Sequence, residues 1–263
     1  MDNFQIYVCC HQPSVLPHSR FLTPIQAGRA VSRRKLNMLG DDSGMNISVL
    51  NKHYCELTAL YWIWRNCRPE YFGLFHYRRF LNFAGTDTAF SDMDNLEERF
   101  GLSSSTIRPL FEDYDIILPQ RRRPNERKES LYELYAKAHV ISDMDWVLKL
   151  LGRYYPAMKG TAEEVLHYRS GGYYKNMMVA PYSFWDGYCS WLFDLLFRAA
   201  AVIDPWLSLR DAYQQRVYGF LGERLLNVYV EHIRRTAGLR IKEVPILEFR
   251  PEFENRLSEA GNF

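Results

Sequence analysis

Residues 71–80 read YFGLFHYRRF. Tyr71 to Phe75 is an apolar run of strand length, and a run without polar alternation suits a strand buried on both faces. It stops at His76, Tyr77, Arg78 and Arg79, which put an imidazole and two guanidiniums at the tip of a core strand. In open α/β sheets ligands bind just beyond the carboxyl ends of the strands. The tip is therefore either a ligand site or a set of internal ion pairs.

Outward from this strand the chain alternates strand and helix signals. FQIYVCC, residues 4–10, reads as a first strand, broken by HQPSVLPHS. FLTPIQAG is a short extended segment ended by Gly28, and residues 29–47 read as a long polar loop. Ser48 stands where an N-cap is expected. Leu50, Tyr54, Leu57, Tyr61 and Trp64 follow at helical spacing, predicting one helix to about Asn66. After the arginines comes a polar stretch with a short helix near 95–100, then a buried strand in DYDIILP and a basic loop, QRRRPNERKES. Helical signals follow over 130–138. A Ser142/Asp143 cap predicts a helix over 144–155, and KNMMVAP reads as a strand between Gly171–Gly172 and Pro181. Helices are predicted over 183–200 and 209–236, with IKEVPILEF as a final edge strand. The pattern predicts an α/β sandwich, a mostly parallel central sheet flanked by helices, and one domain over 1–263.

Bulk composition narrows the function. The chain has 263 residues, 47% hydrophobic and 15% aromatic, so a sizeable core is available. The aromatics serve as core or as surfaces on which sugars or bases stack. The net charge of +2 carries no signature of nucleic-acid binding. The basic runs Arg33–Lys35 and Arg121–Arg123 read first as solvated loops. Five cysteines without C-x-x-C spacing predict free thiols in a reducing compartment and no zinc site. The polar Met1–Asn3 start does not look like a signal peptide, and no apolar run approaches the roughly 20 residues of a membrane span. The expected location is cytoplasmic, with peripheral attachment at the cytoplasmic membrane face as an addition. Neither a G-x-G-x-x-G turn after the first strand nor a P-loop is present.

Polar residues at the strand ends converge on one sheet edge: His11 and Gln12, then His76, Arg78 and Arg79, then Gln120 and Arg121, and Asn176 before MMVAP. Guanidiniums donate a planar fork that matches phosphate oxygens, so a diphosphate site is physically reasonable. The alternative is that Arg78 and Arg79 pair with carboxylates such as Asp113 or Asp115. Glu223, in YGFLGERLL, is either an ion-pair partner of Arg224 or a buried base, and Asp211 reads as a helix cap. Asp-Met-Asp occurs at 92–94, in a polar loop, and at 143–145, at a helix start where aspartate is favoured electrostatically.

Five segments appear in order: DDSGMNISVLNKHYCELTALYWIWRN, YFGLFHYRRFL, YDIILPQ, NMMVAPYSFWDGYCSWLFDLL and RVYGFLGERLLNVYV. Together they resemble the domain of unknown function 4422, over about residues 5–248. That family occurs in bacterial capsular polysaccharide, exopolysaccharide and O-antigen synthesis proteins and is regarded as glycosyltransferase-like. The resemblance implies a GT-A-like fold and a sugar-nucleotide donor, a UDP-hexose with UDP-galactofuranose among the candidates. The acceptor would be a glycan or a lipid-linked sugar.

The resemblance also frames the residues. Where GT-A enzymes carry a metal-binding D-x-D, this chain has His76–Tyr77–Arg78–Arg79. Cationic side chains there would do the electrostatic work of a metal, so no cofactor is expected, with Mn²⁺ or Mg²⁺ kept open. His11, Gln12 and Gln26 would lie near the base and ribose, and Asp41, Asn46 and Ser48 close to the donor. Asn176 and Met177 would line the donor sugar, and Glu223 would be the general base of an inverting transfer. Met45 stands where the family pattern suggests a more acidic Gly-Asp-Asn, which puts a metal or hydroxyl contact from that place in doubt. Two other readings compete: a non-catalytic glycan-binding or assembly module, and a glycosyltransferase that modifies a protein.

Overall fold

The computed structural model describes residues 3–14, 16, 19–85, 96–122 and 127–248. Its core is built by period-two alternation along four central strands, β1 (Phe4–Cys10), β4 (Tyr71–His76), β6 (Ile116–Pro119) and β7 (Met178–Pro181). Tyr7, Phe72, Leu74, Ile116, Leu118, Met178 and Ala180 enter one hydrophobic cluster. Ile6, Val8, Phe75, Ile117 and Val179 enter the other. Successive side chains point to opposite faces, so both faces of these strands are buried. This is why their sequences read as continuous apolar runs.

The remaining strands are β2 (Leu22–Gln26), β3 (Leu39–Gly40), β5 (Arg79–Leu81), β8 (Ile241–Val244) and β9 (Ile246–Glu248). The sheet order is β3-β2-β1-β4-β7-β6-β8, with β5 on β4 and β9 on β5. β1 to β4 run parallel, β7 is antiparallel to both β4 and β6, and β6 is parallel to β8. Along that order β7 alone is reversed, so the sheet is mostly parallel in direction. The stretch at 71–80 is a hairpin: His76 pairs with Arg79, and Tyr77–Arg78 make the turn. IKEVPILEF supplies two strands, one on each side of Pro245.

The helices are α1 (Asn51–Tyr54), α2 (Leu57–Asn66), α3 (Leu96–Phe100), α4 (Ser104–Ile107), α5 (Leu110–Asp113), α6 (Leu131–Ala138), α7 (Ile141–Tyr154), α8 (Lys159–Glu163), α9 (Tyr182–Ile203) and α10 (Val217–Ala237). α2, α7, α9 and α10 bring their apolar faces to the first cluster, and residues of α3, α4 and β5 to the second. Trp185 of α9 fixes the layer. Its ring stacks 4.6 Å from Phe72, and its indole N–H donates to the Phe72 carbonyl at 2.9 Å.

Several boundaries differ from the sequence expectation, each for a physical reason. The helix expected from Ser48 to Asn66 is broken at Cys55, whose φ is +52°, and begins as a 3-10 turn over Ser48–Leu50. Leu50 is consequently exposed rather than part of the apolar face. Ser48 does not cap; its hydroxyl donates to Asp41 and accepts from the Ala30 N–H. α7 starts at Ile141, so Asp143 lies inside it and forms a bidentate pair with Arg210. The strand before Pro181 starts at Met178, because Lys175 and Asn176 take positive φ. α10 starts at Val217, after a 3-10 turn whose Gln214 N–H is capped by Asp211.

The Asp143–Arg210 side chains are only 3% and 12% exposed. Removing one partner strands a buried charge, which typically costs about 3–5 kcal/mol, while removing both costs far less. Urea unfolding is expected to show Arg210→Ala less stable by about 3 kcal/mol, with Asp143→Ala/Arg210→Ala recovering most of that loss.

Candidate functional site

The reversal of β7 brings its start to the carboxyl edge of β4. Leu74 pairs with Met178, so the residues before Met178 lie alongside His76. There the chain bends through two successive left-handed residues, Lys175 (φ +77°) and Asn176 (φ +49°). Left-handed backbone costs a non-glycine residue roughly 1–2 kcal/mol, so the bend needs holding. His76 Nε2 donates to the Lys175 carbonyl at 2.5 Å. The Lys175 N–H donates to Glu223 Oε1 at 3.0 Å. Asn176 Nδ2 donates to Glu56 Oε1 at 2.7 Å and to the Gly219 carbonyl at 3.4 Å. Upstream, Asn227 of α10 exchanges two hydrogen bonds with the backbone of Tyr173.

α10 is shaped to receive this bend. A Cβ on Gly219 would come within 3.2 Å of Cys55, and one on Gly222 within 3.0 Å of Leu57 and 3.5 Å of Asn176 Oδ1. Cys55, at φ +52° and ψ −129°, turns the chain so that the next residue, Glu56, faces Asn176 at the start of α2. Arg216 donates from Nε to Cys55 Sγ at 3.3 Å. The buried Asn176 Oδ1 has no partner among the described residues.

The charges here are perturbed in a consistent way. Burial raises the carboxyl of Glu223, with Arg224, 2.8 Å away, opposing and Glu56 adding to the shift. Burial likewise raises Glu56, opposed by the hydrogen bond from Asn176. Burial pushes His76 down to about 4, so its imidazole is neutral and its Nε2–H serves as a fixed donor. Lys175 is lowered by burial and by the nearby Arg79. No ion pair or side-chain hydrogen bond of the Lys175 ammonium occurs among the described residues. Two protonatable carboxyls and an ammonium are thus gathered at one sheet edge, an arrangement suited to accepting a proton beside an anionic ligand.

The sequence candidates divide into three groups. His76, Asn176 and Glu223 meet at the bend. His11, Tyr77 and Arg78 form a second group beside it: His11 packs edge-on to Tyr77 with ring centres 5.1 Å apart, and Arg78 lies over the Tyr77 ring at 5.0 Å. Gln12 follows His11 at the end of β1 and is half-buried. Arg79 pairs with Glu248 at 2.9 Å, whereas Asp115, considered as its partner, pairs with Arg240.

The third group is engaged in local hydrogen bonds or in the core. Gln26 holds the loop at Arg34 and Leu36 through both ends of its amide. Asp41 accepts the N–H groups of Gly28 and Arg29, and Asn46 closes its own turn onto Ser48. Met177 is fully buried in the second core cluster, so its side chain packs rather than lining an open site. Asp143 is taken by Arg210, and Asp145 accepts the Tyr132 hydroxyl. Among the described residues no three His, Cys, Asp or Glu side chains gather as a metal site. Asp92 and Asp94 lie outside the described residues, as do 123–126 of the basic loop.

Sequence reasoning passed over Glu56, Lys175 and Arg216. Glu56 left one usable sign: it is a lone carboxylate in an apolar stretch, with Leu60 and Ile63 one and two helical turns further on. Lys175 left none, since its role follows from a bend that no local pattern announces. Among the described residues no helix is long and apolar enough to cross a membrane, and none of the five cysteines forms a disulfide.

Comparison with known proteins adds family and fold. The family model described as a domain of unknown function, DUF4422, matches residues 5–235. A solved structure, the WbbM bifunctional glycosyltransferase in its apo form, superposes with a TM-score of 0.83 at 31% identity. The alignment covers 93% of this chain but 45% of that one, so this chain spans less than half of that protein's length. No curated protein matches the chain.

The depressed His76 makes acid stability a readout of the bend. Its folded pKa lies below the usual 6.5, so the stability it contributes is present above that value and is lost as pH falls through about 4. Thermal melts are expected to fall across this window. His76→Gln, which keeps an N–H donor without titrating, should make that decline shallower by up to about 3 kcal/mol.

Proposed function

The chain belongs to the DUF4422 family, and from that premise we propose that it is a glycosyltransferase of bacterial surface polysaccharide synthesis. It moves a sugar from a nucleoside diphosphate sugar, a UDP-hexose such as UDP-galactofuranose among the candidates, to a glycan or lipid-linked acceptor. The observation that carries this reading is Glu223: a carboxylate 20% exposed whose proton affinity is raised by desolvation, bonded to the bend that also presents the Lys175 ammonium. The likeness to the WbbM bifunctional glycosyltransferase supports the same reaction class.

In an inverting transfer, the acceptor oxygen attacks the anomeric carbon while the bond from that carbon to the diphosphate oxygen breaks. The acceptor proton passes to Glu223. The departing diphosphate carries the negative charge, and Lys175, Arg78 and Arg79 are the cations set at the strand ends to meet it. Arg79 would exchange its exposed partner Glu248 for phosphate; that ion pair, with Glu248 59% exposed, is cheap to give up. His11 and Tyr77 offer ring surfaces for the base. Asn176 and Glu56 lie where hydroxyls of the donor sugar can be held. The site is GT-A-like in this reading and lies on a cytoplasmic protein, with the acceptor's lipid as the reason for any contact with the membrane face.

Three measurements test this. Isothermal titration with UDP, with and without Mn²⁺, is expected to show binding in at least one condition, weakened about tenfold in Lys175→Ala; no nucleoside diphosphate binding in either condition would sink the reading. Glu223→Gln is expected to lower kcat by about 10²- to 10⁴-fold while leaving the UDP affinity nearly unchanged. Turnover unaffected by that change would favour a non-catalytic glycan-binding module. Because the base works deprotonated and its pKa is raised, kcat/KM should climb with pH through a midpoint above the ordinary glutamate value of 4.5, and Glu223→Gln should abolish that limb.

A further inference from the structure

The opposite end of the sheet carries a depression of about 410 Å³. It opens at Tyr71, the first residue of β4, five residues and roughly 16 Å along the strand from His76. One wall is the Tyr71–Phe111 pair, with ring centres 4.5 Å apart. The facing wall is Phe184 and Tyr229, which meet edge to face at 5.7 Å. Tyr114 and Asp115, ahead of β6, also line it, together with Pro181, Ser183 and Ile233. The volume falls within the roughly 300–1,000 Å³ typical of small-molecule sites.

The chemistry of this lining is specific. The hydroxyls of Tyr71, Tyr114 and Tyr229 have no hydrogen-bond partner among the described residues. Tyr229 is placed by design of its neighbour: a Cβ on Gly187 would stand 2.6 Å from its hydroxyl. Asp115 is locked by Arg240, which donates from Nη2 at 2.9 Å and from its backbone N–H at 2.7 Å. That carboxylate is the one formal charge among the lining side chains, and its ion pair with Arg240 neutralises it, so the lining itself offers no unpaired charge to an ionic ligand. Flat ring faces for C–H groups, with hydroxyls and one carboxylate at their edges, suit a neutral polyhydroxylated ring.

We infer that this depression is a second carbohydrate-binding site, which holds one or two neutral hexose units of a glycan away from the transfer centre. The inference takes its glycan from the proposed function and adds a separate place where the chain is gripped. A growing polymer held there would stay associated between transfers, because linked sites raise the effective concentration of the second contact.

Saturation-transfer NMR on the full chain tests the site, with lactose, galactobiose and maltotriose as probes. Saturation of at least one probe is expected, with affinity at least tenfold weaker in Tyr71→Leu and Phe184→Leu, which keep apolar volume but remove the rings. Glu223→Gln should leave this binding unchanged, and UDP titration should be the same in Tyr71→Leu as in the natural sequence, which also checks folding. No saturation of any of the three probes, or saturation that survives both substitutions, overturns the inference. Loss of UDP binding everywhere, with ring-dependent glycan binding intact, would defeat the transferase reading and leave this site standing.

Discussion

The bend at Lys175–Asn176 is the constraint on which the site depends. Two left-handed non-glycine residues in succession are unfavourable by themselves, and three elements each contribute a hydrogen bond that holds them. His76 comes from the end of β4, Glu223 from α10 and Glu56 from the start of α2. Each of those polar groups would be costly to bury alone; on the bend each finds a partner. The same contacts leave Glu223 and Glu56 in a poorly hydrated place where their proton affinity rises. Strain in the backbone and perturbed titration of the side chains are thus two consequences of one arrangement.

The reversed strand β7 makes the arrangement possible. Were β7 parallel to β4, its start would lie at the other end of the sheet, beside Tyr71. Because it runs antiparallel, the residues before Met178 arrive next to His76, and those after Ala180 lead into α9 near Tyr71. One topological choice therefore sets what stands at both ends of the sheet: the charged bend at one, the aromatic depression at the other. Gly219 and Gly222 complete the first by letting α10 approach the turned chain at Cys55 and Asn176.

Much of this fold is legible in local pattern. The four central strands are apolar runs because both faces are covered, and the long helices α9 and α10 show their faces by spacing. What pattern misread were the places where a side chain or a bend overrides propensity. Ser48 resembles a cap, yet its hydroxyl is taken by Asp41, and the helix behind it is broken by Cys55. Asp143 resembles a helix-start residue, yet it is drawn inward by Arg210, far along the chain. Gln26, Asp41 and Met177, credible ligand contacts by position, are occupied in holding loops or filling the core.

The sequence by itself determined the α/β layering, the place of the charged His76 turn at the end of a buried strand and the presence of Glu223 within a largely apolar stretch of helix. These follow from nearest-neighbour periodicity and from charge where none is expected. Only the tertiary structure decided that Glu56 and Lys175 join Glu223, that Arg79 faces Glu248, and that aromatic residues from β4, α5, α9 and α10 line one depression. Those facts depend on the direction of β7 and on left-handed residues whose cost is met by contacts distant in the chain, and no local window contains both the bend and the groups that hold it.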